Sequence, residues 1–154
     1  MLPTRSRVRK LHVAIALGIG ALAATGAPLL TASAAPAPSC SNATLRGTYT
    51  FSEDGWTVSG TGTTPFAFAG VQTYNGNGTG AGIVSSSFNG VITPATANTA
   101  TYQVDADCTG TVAYTNSGVT SHFDIYLDPK GDSFTFIETD PGSVSAGVET
   151  RVSK

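Results

Sequence analysis

The chain has 154 residues, of which 40% are hydrophobic and only 12% charged, with 18 glycines and a formal net charge of −2. That is a one-domain length. So few charges exclude a helical bundle, the hydrophobic content excludes a disordered chain, and the charge leaves no basic surface for nucleic acid.

Residues 1–34 have the order of a secretory signal peptide. Arg5, Arg7, Arg9 and Lys10 form a basic start, residues 11–24 an apolar run, and Ala32, Ser33 and Ala34 a small-x-small site. The expected cut follows Ala34, since one residue later it would set Pro36 directly behind the cut. The apolar run is shorter than the roughly 20 residues that span a bilayer, so removal is expected rather than anchoring. Four of the eight basic residues and none of the ten acids lie in this segment, so the remaining 120 residues carry −6. That balance disfavours nucleic acid and stable association with an anionic membrane. A secreted, extracellular protein is expected.

Residues 35–44 read as a flexible lead carrying Cys40, ahead of a single domain over residues 45–154. Cys40 and Cys108 are the only cysteines. In an oxidising compartment an even count reads as a disulfide, and one pairing is open. A redox pair would call for C-x-x-C, and zinc for more ligands than His122 adds. No metal and no cofactor is expected.

From residue 45 onward hydrophobic residues alternate with polar ones, and Gly, Asn, Asp and Pro separate the runs. Residues 45–53 put Leu45, Gly47, Tyr49 and Phe51 on one face. Asp54-Gly55 reads as a turn into a short strand over 56–59. Residues 66–74 gather Phe66, Phe68, Gly70, Gln72 and Tyr74. Asn75-Gly76-Asn77-Gly78 turns the chain into a strand over 79–88, and Asn89-Gly90 turns it again. Further strands are expected over 99–105, 111–115, 119–127, 133–139 and 144–152. Short loops demand antiparallel neighbours, so these eight or nine strands form a meander. A single sheet would leave two open edges unless it closed. The expected fold is therefore all-β, an up-and-down barrel of about eight strands, with a β-sandwich as runner-up.

The expected inward set is Tyr49, Phe51, Phe66, Phe68, Phe88, Tyr102, Phe123, Ile125, Phe134 and Phe136. These rings either fill the barrel or wall a pocket for a small apolar ligand. As ligand-binding candidates we take Tyr49, Phe51, Trp56, Phe66, Phe68, Tyr102, Phe123 and Phe134. Trp56 reads either as a sugar-stacking ring near a loop or as a plug at a barrel end. His122 and Asp124 share a strand face and could orient a general base, but no nucleophile is marked beside them, and a solvated outer face accounts for both. Asp105 and Asp107, or Asn75, Asn77 and Thr79, could suggest calcium; Asx turns account for them equally. Glu138, Glu149 and Arg151 read as a surface ion pair across the last two strands.

The strings C-x4-LRGTYTF from Cys40, YQVDADCTGT from Tyr102, HFDIYL from His122 and TDPGSVSAGVETR from Thr139 resemble a family of small secreted bacterial proteins of unknown function. Its barrel is of calycin-like or allene-oxide-cyclase-like type. The resemblance covers nearly all of residues 40–152 and implies a secreted barrel, with no assigned activity and no catalytic residues to carry over. Three functions follow as expectations: a structural or ligand-binding secreted barrel, a barrel enzyme of cyclase or isomerase type, and a protein-binding or inhibitor module presenting residues 128–132. A cavity with a polar group buried beside the rings would favour the enzyme, and a dry, filled barrel with one rigid protruding loop the protein-binding module.

Overall fold

The computed structural model describes residues 39–154; the signal segment, its cut and residues 35–38 of the lead lie outside the described residues. Eight strands follow one another: β1 (Arg46–Ser59), β2 (Gly62–Asn75), β3 (Thr79–Phe88), β4 (Val91–Val104), β5 (Thr109–Asn116), β6 (Val119–Leu127), β7 (Ser133–Glu138) and β8 (Ser143–Ser153). Each pairs antiparallel with the next, and β8 pairs with β1, so the sheet closes into a barrel. Closure removes both edges and excludes the sandwich. The hairpins at Asn89-Gly90 and Ser117-Gly118 have positive φ at both turn residues. Two-residue turns of that kind match the twist of the strands they join.

Several elements start or run differently from expectation: β2 begins at Gly62 rather than residue 66 and β5 at Thr109 rather than residue 111, and two differences are larger. Asp54-Gly55 is no turn: β1 runs straight through it, with Gly55 paired to Phe66 on one side and Ser145 on the other. Gly55 faces inward, where a Cβ would strike the Val144 carbonyl and Ser145, so the glycine serves close approach rather than a bend. β4 starts at Val91 rather than residue 99, because its first residues pair with the end of β3 across a bulge at Val84/Ser86.

One end of the barrel is a packed floor. The described part of the lead, residues 39–44, is not slack. Residues Asn42–Thr44 form a 3-10 turn, and Leu45 behind it is fully buried. The Tyr102 hydroxyl donates to the Leu45 carbonyl at 2.8 Å, and the Val104 N–H donates to Asn42 Oδ1 at 2.7 Å. Cys40 is bonded to Cys108, which fastens this turn to the β4–β5 loop. Arg151 donates to the Thr44 carbonyl at 3.0 Å from the other side. The loop over residues 128–132 is also drawn in: the Tyr49 hydroxyl donates to the Gly131 carbonyl at 2.6 Å. Gly131 is thereby buried, while Asp128, Pro129, Lys130 and Asp132 stay exposed. Among the described residues, no helix is long and apolar enough to cross a membrane.

β8 inverts the usual pattern. Val144, Val148 and Val152 point outward and are exposed, while Ser145, Gly147 and Glu149 point inward. The neighbours dictate this. Gly147 pairs with Phe136, and a Cβ there would run into the Phe136 ring. The inward rings of β7 need that space, so register overrides hydrophobicity on this strand. The surface ion pair expected of Glu138, Glu149 and Arg151 is thus corrected. All three face inward, and Arg151 pairs instead with Asp132 at 3.1 Å.

Candidate ligand site in the barrel interior

The inward rings divide into two groups along the barrel. In the floor half, Tyr49, Tyr102, Phe123, Phe134 and Phe136 are buried together with Ile125, Leu127 and Val112. Their rings meet edge to face: Tyr49 and Tyr74 at 5.4 Å, Phe123 and Phe136 at 5.5 Å. Such contacts leave a filled core, not a pocket. In the mouth half, Phe66, Phe68 and Phe88 form a separate trio with centroids 5.2 to 5.4 Å apart. Phe66 is buried, Phe68 is half-buried and Phe88 is 40% exposed, so this trio faces the opening. Phe51 lies inward between the two groups, against Gly70. Trp56 is placed elsewhere: it stands on the outer face, 48% exposed, one step out of phase with the inward residues of β1. It therefore lines no part of the interior, and it does not plug an end.

Next to the mouth trio, with Glu53 across from Phe68 in the β1–β2 register, begins an inward polar cluster, two of whose members, Glu138 and Glu149, the sequence reads as surface residues. The Ser145 hydroxyl donates to Glu53 Oε1 at 2.7 Å and also lies 2.9 Å from Glu138 Oε2. The single hydroxyl proton is shared between two carboxyl groups there. Deeper in, Glu149 Oε1 accepts from the Tyr114 hydroxyl at 2.8 Å and from the Tyr74 hydroxyl at 3.0 Å, while the two hydroxyls also touch each other. Two hydroxyl protons there serve three contacts. Burial pushes the Glu149 carboxyl up to about 7; the tyrosine hydrogen bonds oppose this and the nearby Glu53 charge adds to it. Burial likewise pushes Glu53 up to about 7, against the Ser145 hydrogen bond and with help from Glu138. Tyr74 and Tyr114 are raised well above their ordinary 10, chiefly by burial.

Among the described residues, four buried side-chain polar atoms have no partner: Gln72 Nε2, Gln72 Oε1, Asn98 Oδ1 and Glu149 Oε2. All three side chains project inward from β2, β4 and β8. Gln72 lies across Gly80 and Gly82, whose missing side chains make room for it. Signals for part of this cluster were in the sequence. Gln72 shares a face with Phe68 and Tyr74, and carrying the alternation of Tyr49 and Phe51 two residues further reaches Glu53. Glu149 had no such signal, because β8 reads in the wrong phase.

The other candidates resolve simply. His122 is exposed on the outer face and bonds Asp140 at 2.9 Å, not Asp124. Both His122 and Asp124 border an open outer depression of about 410 Å³ lined by Thr101, Gln103 and Thr111. Asn77 Oδ1 accepts from the Thr79 N–H and hydroxyl, and Asp107 Oδ1 from those of Thr109, so both are Asx turns. Among the described residues, no three His, Cys, Asp or Glu side chains gather as a metal site.

No protein-family model matches the chain, and no curated protein matches it. A solved structure of similar fold is a redesigned beta barrel, mFAP1, bound to DFHBI, with 16% sequence identity and a TM-score of 0.50. The match covers 71% of this chain and 97% of that one. At that identity the likeness concerns the fold: the chain is an eight-stranded antiparallel barrel with one disulfide.

Proposed function

We propose that this is a secreted barrel that binds one small, largely apolar ligand in the mouth half of its interior. The observation that carries the reading is the set of unpartnered buried atoms on Gln72, Asn98 and Glu149. Each such atom costs about 1–3 kcal/mol when left unsatisfied. They lie deeper than the mouth trio, Gln72 opposite Tyr49 and Glu149 opposite Phe134, and an interior with apolar rings at its opening and a few polar groups below them has the composition of a binding site. The mouth trio supplies the wall. The barrel of similar fold, mFAP1, is bound to DFHBI, but at 16% identity that supports the architecture only. The reading also includes export by residues 1–34, with Ala35 as the first secreted residue, and kinship with the small secreted bacterial barrels of calycin-like or allene-oxide-cyclase-like type.

Native mass spectrometry of the protein from culture fluid tests it. The expected spectrum shows a chain beginning at Ala35 plus a retained small mass that leaves on denaturation. A neutral fluorescent probe, N-phenyl-1-naphthylamine, should brighten with the parent and much less with a Phe66→Ala/Phe88→Ala double variant. No retained mass together with no brightening would overturn the reading.

Buried Glu149 supports a second reading, a barrel enzyme of cyclase or isomerase type. A carboxyl whose pKa is pushed to about 7 is poised for proton transfer at neutral pH. The retained compound decides this: an enzyme should return it isomerised or cyclised, and a binder unchanged.

A further inference from the structure

Resting on the ligand reading above, we propose that the ligand is a small aromatic cation, an aryl-alkyl ammonium. Its charged head would sit among Glu53, Glu138 and Glu149, with its ring on Phe66, Phe68 and Phe88. The charge inventory points this way. Among the described residues, the ionisable groups turned inward on the mouth side of Arg151 are these three carboxyls and the Tyr74 and Tyr114 hydroxyls, with Glu149 and Tyr74 bordering the floor rings. The inward base, Arg151, belongs to the floor, where Asp132, the Thr44 carbonyl and the Tyr49 hydroxyl hold it. An anion would meet three acids there. A wholly apolar ligand would leave Glu149 Oε2 buried without a partner.

Proton accounting agrees with the charge. The Ser145 bridge and the Tyr74–Tyr114–Glu149 cluster each have fewer hydroxyl protons than contacts. Both clusters are therefore short of donors, and an ammonium brings three. Its positive charge would let both carboxyls ionise, which burial alone opposes. The aromatic wall is adjacent: Glu53 and Phe68 are cross-strand partners in the β1–β2 register. A cation beside such ring faces gains a further electrostatic attraction. The wall also favours an organic ion over an inorganic one.

Isothermal titration calorimetry of the secreted protein at pH 6 tests this with four probes: 2-phenylethylammonium, neutral 2-phenylethanol, anionic 3-phenylpropanoate and calcium ion. The ammonium should bind at least tenfold more tightly than the alcohol, the propanoate and calcium not measurably. The ammonium's heat should vary with the buffer's ionisation enthalpy, because the carboxyls release protons as it binds. Glu149→Gln and Glu53→Gln, each checked for an intact melt, should each lower ammonium affinity at least tenfold and leave the alcohol unchanged. If the alcohol matches the ammonium, if both variants keep full ammonium affinity, or if equimolar calcium displaces the ammonium, the cation proposal fails while the ligand reading stands. If none of the three aromatic probes binds, both fail.

Discussion

Phe123 sits 4% exposed between Tyr114 and Phe136, each ring 5.5 Å away and steeply tilted. Removing it leaves a void in close-packed material. Phe123→Ala should cost about 3–5 kcal/mol in urea unfolding. Phe68 belongs to the mouth trio and keeps part of its ring in solvent, so Phe68→Ala should cost roughly half as much, since less apolar area leaves water there. Equal losses at the two sites would contradict the division into a filled floor and an open mouth. Trp56 makes the complementary case. It stands outside, so Trp56→Ala should leave probe binding in the interior unchanged.

At the scale of elements, the disulfide is the clearest device. It closes a sequence separation of 68 residues. The chain-entropy account gives such a loop about 4 kcal/mol. Thiol titration of the unfolded, unreduced protein should find no free thiol, and reduction should lower the melting temperature. Two free thiols, or an unchanged melt on reduction, would count against that role. Strands were legible where alternation and turn chemistry agreed. β6 has the bounds read from its alternation, 119–127, because Asn116-Ser117-Gly118 and Asp128-Pro129 mark both ends. The sequence predicts a break in β1 because Asp-Gly is the composition of a turn, while here the glycine answers a steric demand from β8 that only the closed barrel creates. β8 reads as a strand, but its buried face does not: three valines look like a core stripe, and the Phe136 ring decides otherwise. The aromatic half of the site was visible in sequence. The carboxyl half was not, because acids in alternating strands normally mark the wet face.

The whole molecule inherits a pH dependence from those carboxyls. In the folded state Glu53 and Glu149 hold their protons up to about pH 7, against an ordinary value of 4.5. Between those limits the folded chain binds more protons than the unfolded one, so stability falls as pH rises. The cost is fully present above about pH 7 and absent below about pH 4.5. The melting temperature should therefore be higher at pH 5 than at pH 8, and Glu149→Gln should flatten that slope. A melting temperature that climbs from pH 5 to pH 8 would show that the carboxyls are ionised without penalty. Asp107 and Asp140, held below their ordinary range by hydrogen bonds, act only in more acid solution. A different consequence follows from the way the barrel closes. Seven of its eight seams join strands adjacent in sequence, and only β1 with β8 joins distant ones. Seven seams can zip locally, while the eighth must wait for the ends of the domain to meet, so the rate of folding depends on that one encounter. Yet those ends already lie side by side, with Gly47 against Ser153 and Lys154. The ring of hairpins has no intrinsic first strand. A permuted gene that linked Lys154 back to residue 39 and opened the chain at Asn89-Gly90 would encode the same eight seams and merely change which of them closes last.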